Sequence, residues 1–190
     1  TRILGDSAML YKSVYYDYHG NVIQSHEQNA LGGFDHCYYR LSFTGKPLEI
    51  KRVHGAAGTI NEDIVRYTYD SKERLLTISH SHDGASPVTL ASNTYDALGR
   101  LAANSVNNGG ISTAYAYNVR GWVQSVTNAH FYEWIHYQDA PSGGIPCWGG
   151  GISGITWLQR ESLKAATSVE NQYKFSYDGL NRLTKADNYW

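Results

Sequence analysis

The sequence predicts an all-β chain of consecutive antiparallel β-hairpins forming a strongly twisted, curved sheet. Three observations carry this. The inventory is skewed, with sixteen Tyr and nineteen Gly against one Met in 190 residues; tyrosine suits half-buried strands and glycine suits turns. A short aromatic–acidic motif recurs along the chain. The segments around it alternate apolar and polar residues with period two.

Six copies of the motif align on their aromatic residue. They are Tyr16-Asp17-Tyr18-His19-Gly20-Asn21-Val22, Phe43-Thr44-Gly45-Lys46-Pro47-Leu48, Tyr69-Asp70-Ser71-Lys72-Glu73-Arg74-Leu75, Tyr95-Asp96-Ala97-Leu98-Gly99-Arg100-Leu101, Tyr117-Asn118-Val119-Arg120-Gly121-Trp122-Val123 and Tyr177-Asp178-Gly179-Leu180-Asn181-Arg182-Leu183. The steps between anchors are 27, 26, 26, 22 and 60 residues. The last step implies an insertion. A step of about 26 residues holds two strands of ~8 residues and two turns. The whole chain, 1–190, then reads as a single repeat segment of about twelve to fourteen strands. A chain running from Thr1 to Trp190 in this way reads as a fragment of a larger protein.

Each copy encodes its own turn. Asp17, Asp70, Asp96, Asn118 and Asp178 stand where a side-chain oxygen accepts a hydrogen bond from the backbone two residues on. Three residues later the chain needs a left-handed residue to close a bulged hairpin. Gly20, Gly99 and Gly121 fill that slot, and Asn181 is the next most tolerant choice. Glu73 does not fit: held left-handed it costs roughly 1 kcal/mol, and otherwise the turn relaxes. The second copy is one residue short, so Gly45-Lys46 reads as a two-residue turn. These assignments put hairpin turns near 17–20, 44–47, 70–73, 96–99, 118–121 and 178–181. Asp70, Asp96 and Asp178 face Arg74, Arg100 and Arg182 across the loop. One residue further out Tyr69, Tyr95 and Tyr177 face Leu75, Leu101 and Leu183, which predicts a core stripe on one face.

The flanks read as strands, for example 65–69, 75–78, 114–117 and 122–126, separated by Gly-, Ser- and Asn-rich links. The insertion, 127–172, holds an aromatic strand over 130–138 with Phe131, Ile135 and Tyr137 on one face and Tyr132 and Trp134 on the other. Its partner is 152–158, and the glycine-rich stretch 140–151 connects them. A short turn of helix is expected at 161–169.

The motif Tyr-Asp-x-x-Gly-Arg-Leu, above all at Tyr95–Leu101 and Tyr177–Leu183, resembles the YD repeat of RHS proteins. Phe43–Pro47, Tyr115–Trp122 and Gly151–Trp157 are similar to the RHS-repeat proteins of Bacteroides-type gut bacteria. The resemblance covers nearly the whole chain. It implies a large secreted or cell-surface protein whose repeats wind a sheet into a spiral shell. Some such shells enclose a toxin domain, and some members are described as binding carbohydrate or mediating cell contact. The sequence departs from the pattern at Glu73, at Asn181 and at Gly149-Gly150-Gly151, where relatives tend to carry Asn.

Composition excludes several function classes. Sixteen basic and seventeen acidic residues leave a net charge of −1, which is no footprint for nucleic acid. No run of 18 apolar residues exists, so no membrane-spanning segment is expected. Cys37 and Cys147 show no CxxC or finger spacing; a disulfide and two free thiols both stay open.

Chemistry candidates are sparse. Each turn Asp stands alone, whereas calcium needs six to eight converging oxygens, so capping explains them better. His80 and His82 share a strand face but lack a third ligand, and His36 beside Cys37 is equally incomplete. Glu133, Asp139 and Glu161 surround the aromatic hairpin without a known separation. No GxSxG exists, and Gly149–Gly154 lacks the Lys and helix of a phosphate loop. No catalytic, cofactor or metal residue is expected. Tyr132, Trp134, Trp148 and Trp157 concentrate in one region, where they serve as shell lining or as a platform for sugar rings. The sequence therefore points to a non-catalytic scaffold segment. Its partners would be neighbouring repeats of the parent chain and its own copies, through open sheet edges. The alternative is a carbohydrate-binding module using 130–158, with a glycoside hydrolase more remote.

Overall fold

The structure, a computed structural model, describes residues 9–159 and 170–189. The helical turn expected at 161–169, Glu161 included, lies outside the described residues. Among the described residues fourteen strands follow chain order, each hydrogen-bonded to the next. The described residues contain no helix. The all-β hairpin fold read from the sequence is therefore the fold observed.

The chain divides into two compact units: Thr1–Ser92 with Val106–Gly109, and Asn93–Ser105 with Gly110–Trp190. The first holds β1 (Lys12–Tyr16), β2 (Val22–Gln28), β3 (Phe34–Leu41), β4 (Pro47–Ala56), β5 (Thr59–Tyr69), β6 (Leu75–His82) and most of β7 (Val88–Tyr95). The second holds most of β8 (Leu101–Val106), with β9 (Ile111–Tyr117), β10 (Val123–Thr127), β11 (Phe131–His136), β12 (Gly154–Gln159), β13 (Glu170–Tyr177) and β14 (Leu183–Tyr189).

One loop type recurs at one end of the hairpins in both units. Asp70 N–H donates to Arg74 O at 3.0 Å and Glu73 N–H to Asp70 O at 2.9 Å. Asp17, Asp96, Asn118 and Asp178 repeat this with Gly20, Gly99, Gly121 and Asn181. The register slips at the same place, as between Thr68 and Tyr69, so a bulge accompanies the loop. Gly99 has φ 87° and Gly121 φ 82°; Asn181 and Glu73 take the same region at 60° and 59°. Glu73 therefore does not relax to another turn.

The second loop corrects the sequence reading. It is not a two-residue turn within 44–47. Ser42 N–H donates to Lys46 O at 2.7 Å, Gly45 N–H to Ser42 O at 3.0 Å, and Leu41 pairs with Pro47. The anchor is thus Leu41, and Ser42 takes the Asp position because its Oγ also accepts from a backbone amide, that of Lys46, at 3.0 Å. Phe43, which drew the alignment, is a loop tip 98 % exposed.

The core stripe also needs correction. Tyr69 does face Leu75, and Tyr177 does face Leu183. However, Tyr69 and Leu75 are only half-buried and Leu183 is 56 % exposed. Among the described large apolar residues only Tyr137, at 8 % exposure, is buried. Within each unit the side chains are screened mainly by cross-strand neighbours, which leaves part of each in water.

Candidate functional site

The aromatic hairpin builds the most site-like feature. On β11 the period-two alternation puts Tyr132, Trp134 and His136 on one face. Register brings Leu158, Thr156 and Gly154 of β12 opposite them, and then Glu170 and Gln172 of β13. An open cleft of about 510 Å³ results, lined by Tyr132, Trp134, His136, Thr156, Glu170 and Gln172, with Pro141 and Ser142 from the long loop.

Its floor is a connected polar network. Thr156 Oγ1 lies 2.9 Å from His136 Nε2 and accepts from Gln172 Nε2 at 3.1 Å. Asp139 fixes the rim. Its carboxylate accepts from the Trp134 indole N–H at 3.1 Å and from the Tyr137 amide at 3.0 Å, and it meets His136 Nδ1 at 3.2 Å. Burial opposes the charge of Asp139, but these bonds prevail and hold its carboxyl below the usual carboxylate range.

The four aromatic candidates do not converge. Tyr132 and Trp134 line the cleft. Trp157 faces the other side, paired with Glu133 and stacked on Tyr173 at 5.3 Å, and Tyr173 stacks in turn on Phe175. Trp148 sits in the long loop, 67 % exposed, with its carbonyl accepting from Arg120 Nη1 at 2.7 Å. Of the three carboxylates, Glu133 is on the Trp157 face, Asp139 is engaged as above, and Glu161 lies outside the described residues.

The turn residues are closed on themselves. Asp70 Oδ1 accepts from the Lys72 and Arg74 amides, and Oδ2 accepts from Arg74 Nε at 2.7 Å. Asp96 with Arg100 and Asp178 with Arg182 do the same. Asp17 uses Asn21 in place of Arg, and Asn118 keeps only the amide bonds, from Arg120 and Trp122. The bonds from Arg74 and Arg182 hold Asp70 and Asp178 below the usual carboxylate range. Glu73 compensates part of its strain: Thr44 Oγ1 donates to it at 2.7 Å, and Lys46 Nζ meets its carboxylate at 3.2 Å.

His80 and His82 find a third group as a hydrogen-bond partner: Asp63 Oδ1 lies 2.8 Å from His80 Nε2 and 2.9 Å from His82 Nδ1. Among the described residues no group of three or more His, Cys, Asp or Glu is arranged to hold a metal ion. Both Cys37 and Cys147 are free thiols.

Sequence reasoning missed a repeated latch. Tyr69 Oη donates to Pro47 O at 2.9 Å, Tyr117 to Leu101 O at 2.9 Å, Tyr137 to Val123 O at 2.9 Å and Tyr177 to Ile152 O at 2.8 Å. Each hydroxyl reaches the carbonyl at or near the start of the preceding strand. The backbone register of β4 with β5 ends at Glu49–Arg66, and that of β10 with β11 at Ser125–Trp134. The tyrosine three residues further on adds a link beyond the paired backbone. Cations sit over two of these rings, Lys46 over Tyr69 at 5.6 Å and Arg100 over Tyr117 at 4.5 Å. Burial pushes the phenols of Tyr69, Tyr137 and Tyr177 up, so they remain donors at neutral pH.

No known family profile and no curated protein matches the chain. Solved structures do. The crystal structure of TcdB2-TccC3-Cdc42 superposes with a TM-score of 0.52 at 15 % identity, covering 93 % of this chain and 12 % of that one. The crystal structure of TcdB2-TccC3 without its hypervariable C-terminal region gives 0.50 at 14 % identity, with the same coverage. At such identity the likeness shows the fold alone, and it supports an RHS-like one. The chain spans about an eighth of the length of the chains it matches.

Proposed function

We propose that residues 1–190 are one repeat segment of a secreted or cell-surface YD-repeat protein of the RHS type, acting as a non-catalytic scaffold. The observation that carries the reading is the loop-and-latch unit. Each unit of the chain repeats the same self-satisfied loop and the same tyrosine bond to the preceding strand. Such side chains are used up in holding hairpin to hairpin, which is the economy of a repeat architecture. The likeness to the much longer chains of the TcdB2-TccC3 structures over 93 % of this sequence favours the same reading. The partners are neighbouring repeats of the parent chain. Among the described residues β1 and β14 each have one strand neighbour, which favours pairing of copies of the segment through those edges.

Light scattering coupled to size-exclusion chromatography tests this over a range of concentrations. Dimers or larger species that grow with concentration support it. A strict monomer with defined glycan ligands overturns it in favour of a second reading, a carbohydrate-binding module. That reading rests on the cleft, where an indole and a phenol stand beside Thr156, Gln172 and Glu170. Glycan-array signals lost in Trp134→Ala, with far-UV circular dichroism intact, would establish it; signals surviving that change would remove it.

A further inference from the structure

His36 gains a partner that sequence spacing does not reveal. Cys37, its neighbour in sequence, points to the opposite face of β3 by strand alternation. His26 on β2 stands directly across from His36 in the register, so both imidazoles project from the same face. Their ring centroids are 4.0 Å apart with an interplanar angle of 40°. Phe34 meets His36 edge-on at 4.5 Å, and Tyr15 meets His26 edge-on at 5.7 Å, so an aromatic wall stands on either side.

We propose that His26 and His36 form a two-histidine site for a late first-row divalent ion, Cu²⁺ or Zn²⁺. Imidazole suits these ions, and a strand-borne pair holds both ligands at fixed spacing. A metal ~2.0–2.1 Å from one nitrogen of each ring sets the centroids roughly 4.5–5 Å apart. Coordination therefore requires the rings to part from 4.0 Å and to turn one nitrogen each toward the ion. Polar side chains contact a nitrogen of each ring. The Gln24 amide touches His26 Nε2, and the Tyr38 hydroxyl lies 3.5 Å from His36 Nδ1. The Tyr38 hydroxyl can accept from His36 Nδ1–H and leave Nε2 for the ion, whereas the Gln24 amide nitrogen only donates, so coordination through His26 Nε2 displaces it. Both rings are only half-buried, so water completes the coordination shell. The site involves no redox step and no bond-breaking; neutral imidazole nitrogens replace two metal-bound waters.

The His80–Asp63–His82 cluster differs in kind. There one carboxylate oxygen lies within hydrogen-bond distance of both rings and already engages a nitrogen of each. That contrast designs the test. Zn²⁺ is titrated by calorimetry into the full chain as wild type, His26→Asn, His36→Asn and the double change His80→Asn with His82→Asn. One ion per chain is expected, weakened about tenfold or more by either of the first two changes and little by the third. The electron paramagnetic resonance spectrum of the Cu²⁺-loaded wild type should show splitting from two imidazole nitrogens. Absence of binding overturns the proposal, as does binding lost only with His80 and His82. If His26→Asn or His36→Asn disturbs the circular dichroism spectrum, the Cu²⁺ spectrum of the chain carrying His80→Asn with His82→Asn decides: two equivalent nitrogens support the site, and none or one refutes it.

Discussion

Replacing Tyr137 by Phe isolates the hydroxyl of one latch. The ring stays, and with it the contact to Trp122 at 5.0 Å between centroids. What goes is one hydrogen bond of 2.9 Å to the Val123 carbonyl, made by a side chain only 8 % exposed. A neutral hydrogen bond contributes about 0.5–1.5 kcal/mol net, and leaving its buried acceptor unmet costs about 1–3 kcal/mol. The Val123 carbonyl stands at the start of a strand, where water reaches it more easily than in a core. The lower range therefore applies, and Tyr137→Phe should destabilise by about 1 kcal/mol. In a chain of this size that is a fall in Tm of about 2–4 °C. Tyr137→Ala, which also removes the packing, should cost about 3–5 kcal/mol. Urea unfolding followed by tryptophan fluorescence is the assay, because Trp122, Trp134, Trp148 and Trp157 lie in the second unit. The control is Tyr18→Phe at a loop tip 90 % exposed, where little change is expected. If Tyr137→Phe and Tyr18→Phe have the same midpoint at equal slope, the latch contributes nothing and the argument from it fails.

Three further outcomes follow from the loops. Gly99→Val forces a branched residue to φ 87° and should destabilise by more than about 1 kcal/mol; an unchanged Tm counts against the loop's role. Glu73→Gly relieves about 1 kcal/mol of left-handed strain but loses the Thr44 bond and the Lys46 ion pair, together of similar size, so stability should barely move. Glu73→Ala keeps the strain and loses the partners, and a melt showing it no worse than Glu73→Gly would refute that balance. Asp70 and Asp178 have carboxyls held below their ordinary range in the folded chain. Their contribution is therefore present above about pH 4 and is lost as pH falls through the lower folded value. Changing both to Asn keeps the amide-accepting oxygen, as Asn118 does, while removing the titration. The acid limb of the stability profile should flatten, and a limb unchanged from wild type would show that other groups drive it.

What the sequence reveals depends on whether a feature has a side-chain signature at both ends. The hairpin loop has one. Asp supplies the acceptor, Gly supplies the left-handed backbone, and their spacing is fixed within five residues, so the all-β fold was legible. Ser42 hid the second copy because a hydroxyl does the same work with weaker sequence contrast, and an exposed Phe43 drew the alignment by two positions. The cleft was half legible. Period two puts Tyr132 and Trp134 together and Trp157 apart once the register is known, yet Asp139, which orients Trp134, carries no motif.

The latch is illegible for a different reason: its acceptor is a backbone carbonyl, which any residue provides, 14 to 25 positions away. It nevertheless explains the 60-residue step better than an insertion does. Tyr137 has no Asp-x-x-Gly loop after it, but it makes the same bond to the preceding strand as Tyr69, Tyr117 and Tyr177. The 127–172 stretch thus contains a full member of the series, hairpin β11–β12, in which the compact five-residue loop is replaced by the longer connection between His136 and Gly154. The tyrosine and the strand pairing hold the repeat, and the loop at that end is free to lengthen. That freedom lets the loop between β11 and β12 carry Trp148 into solvent while Pro141 and Ser142 line the cleft.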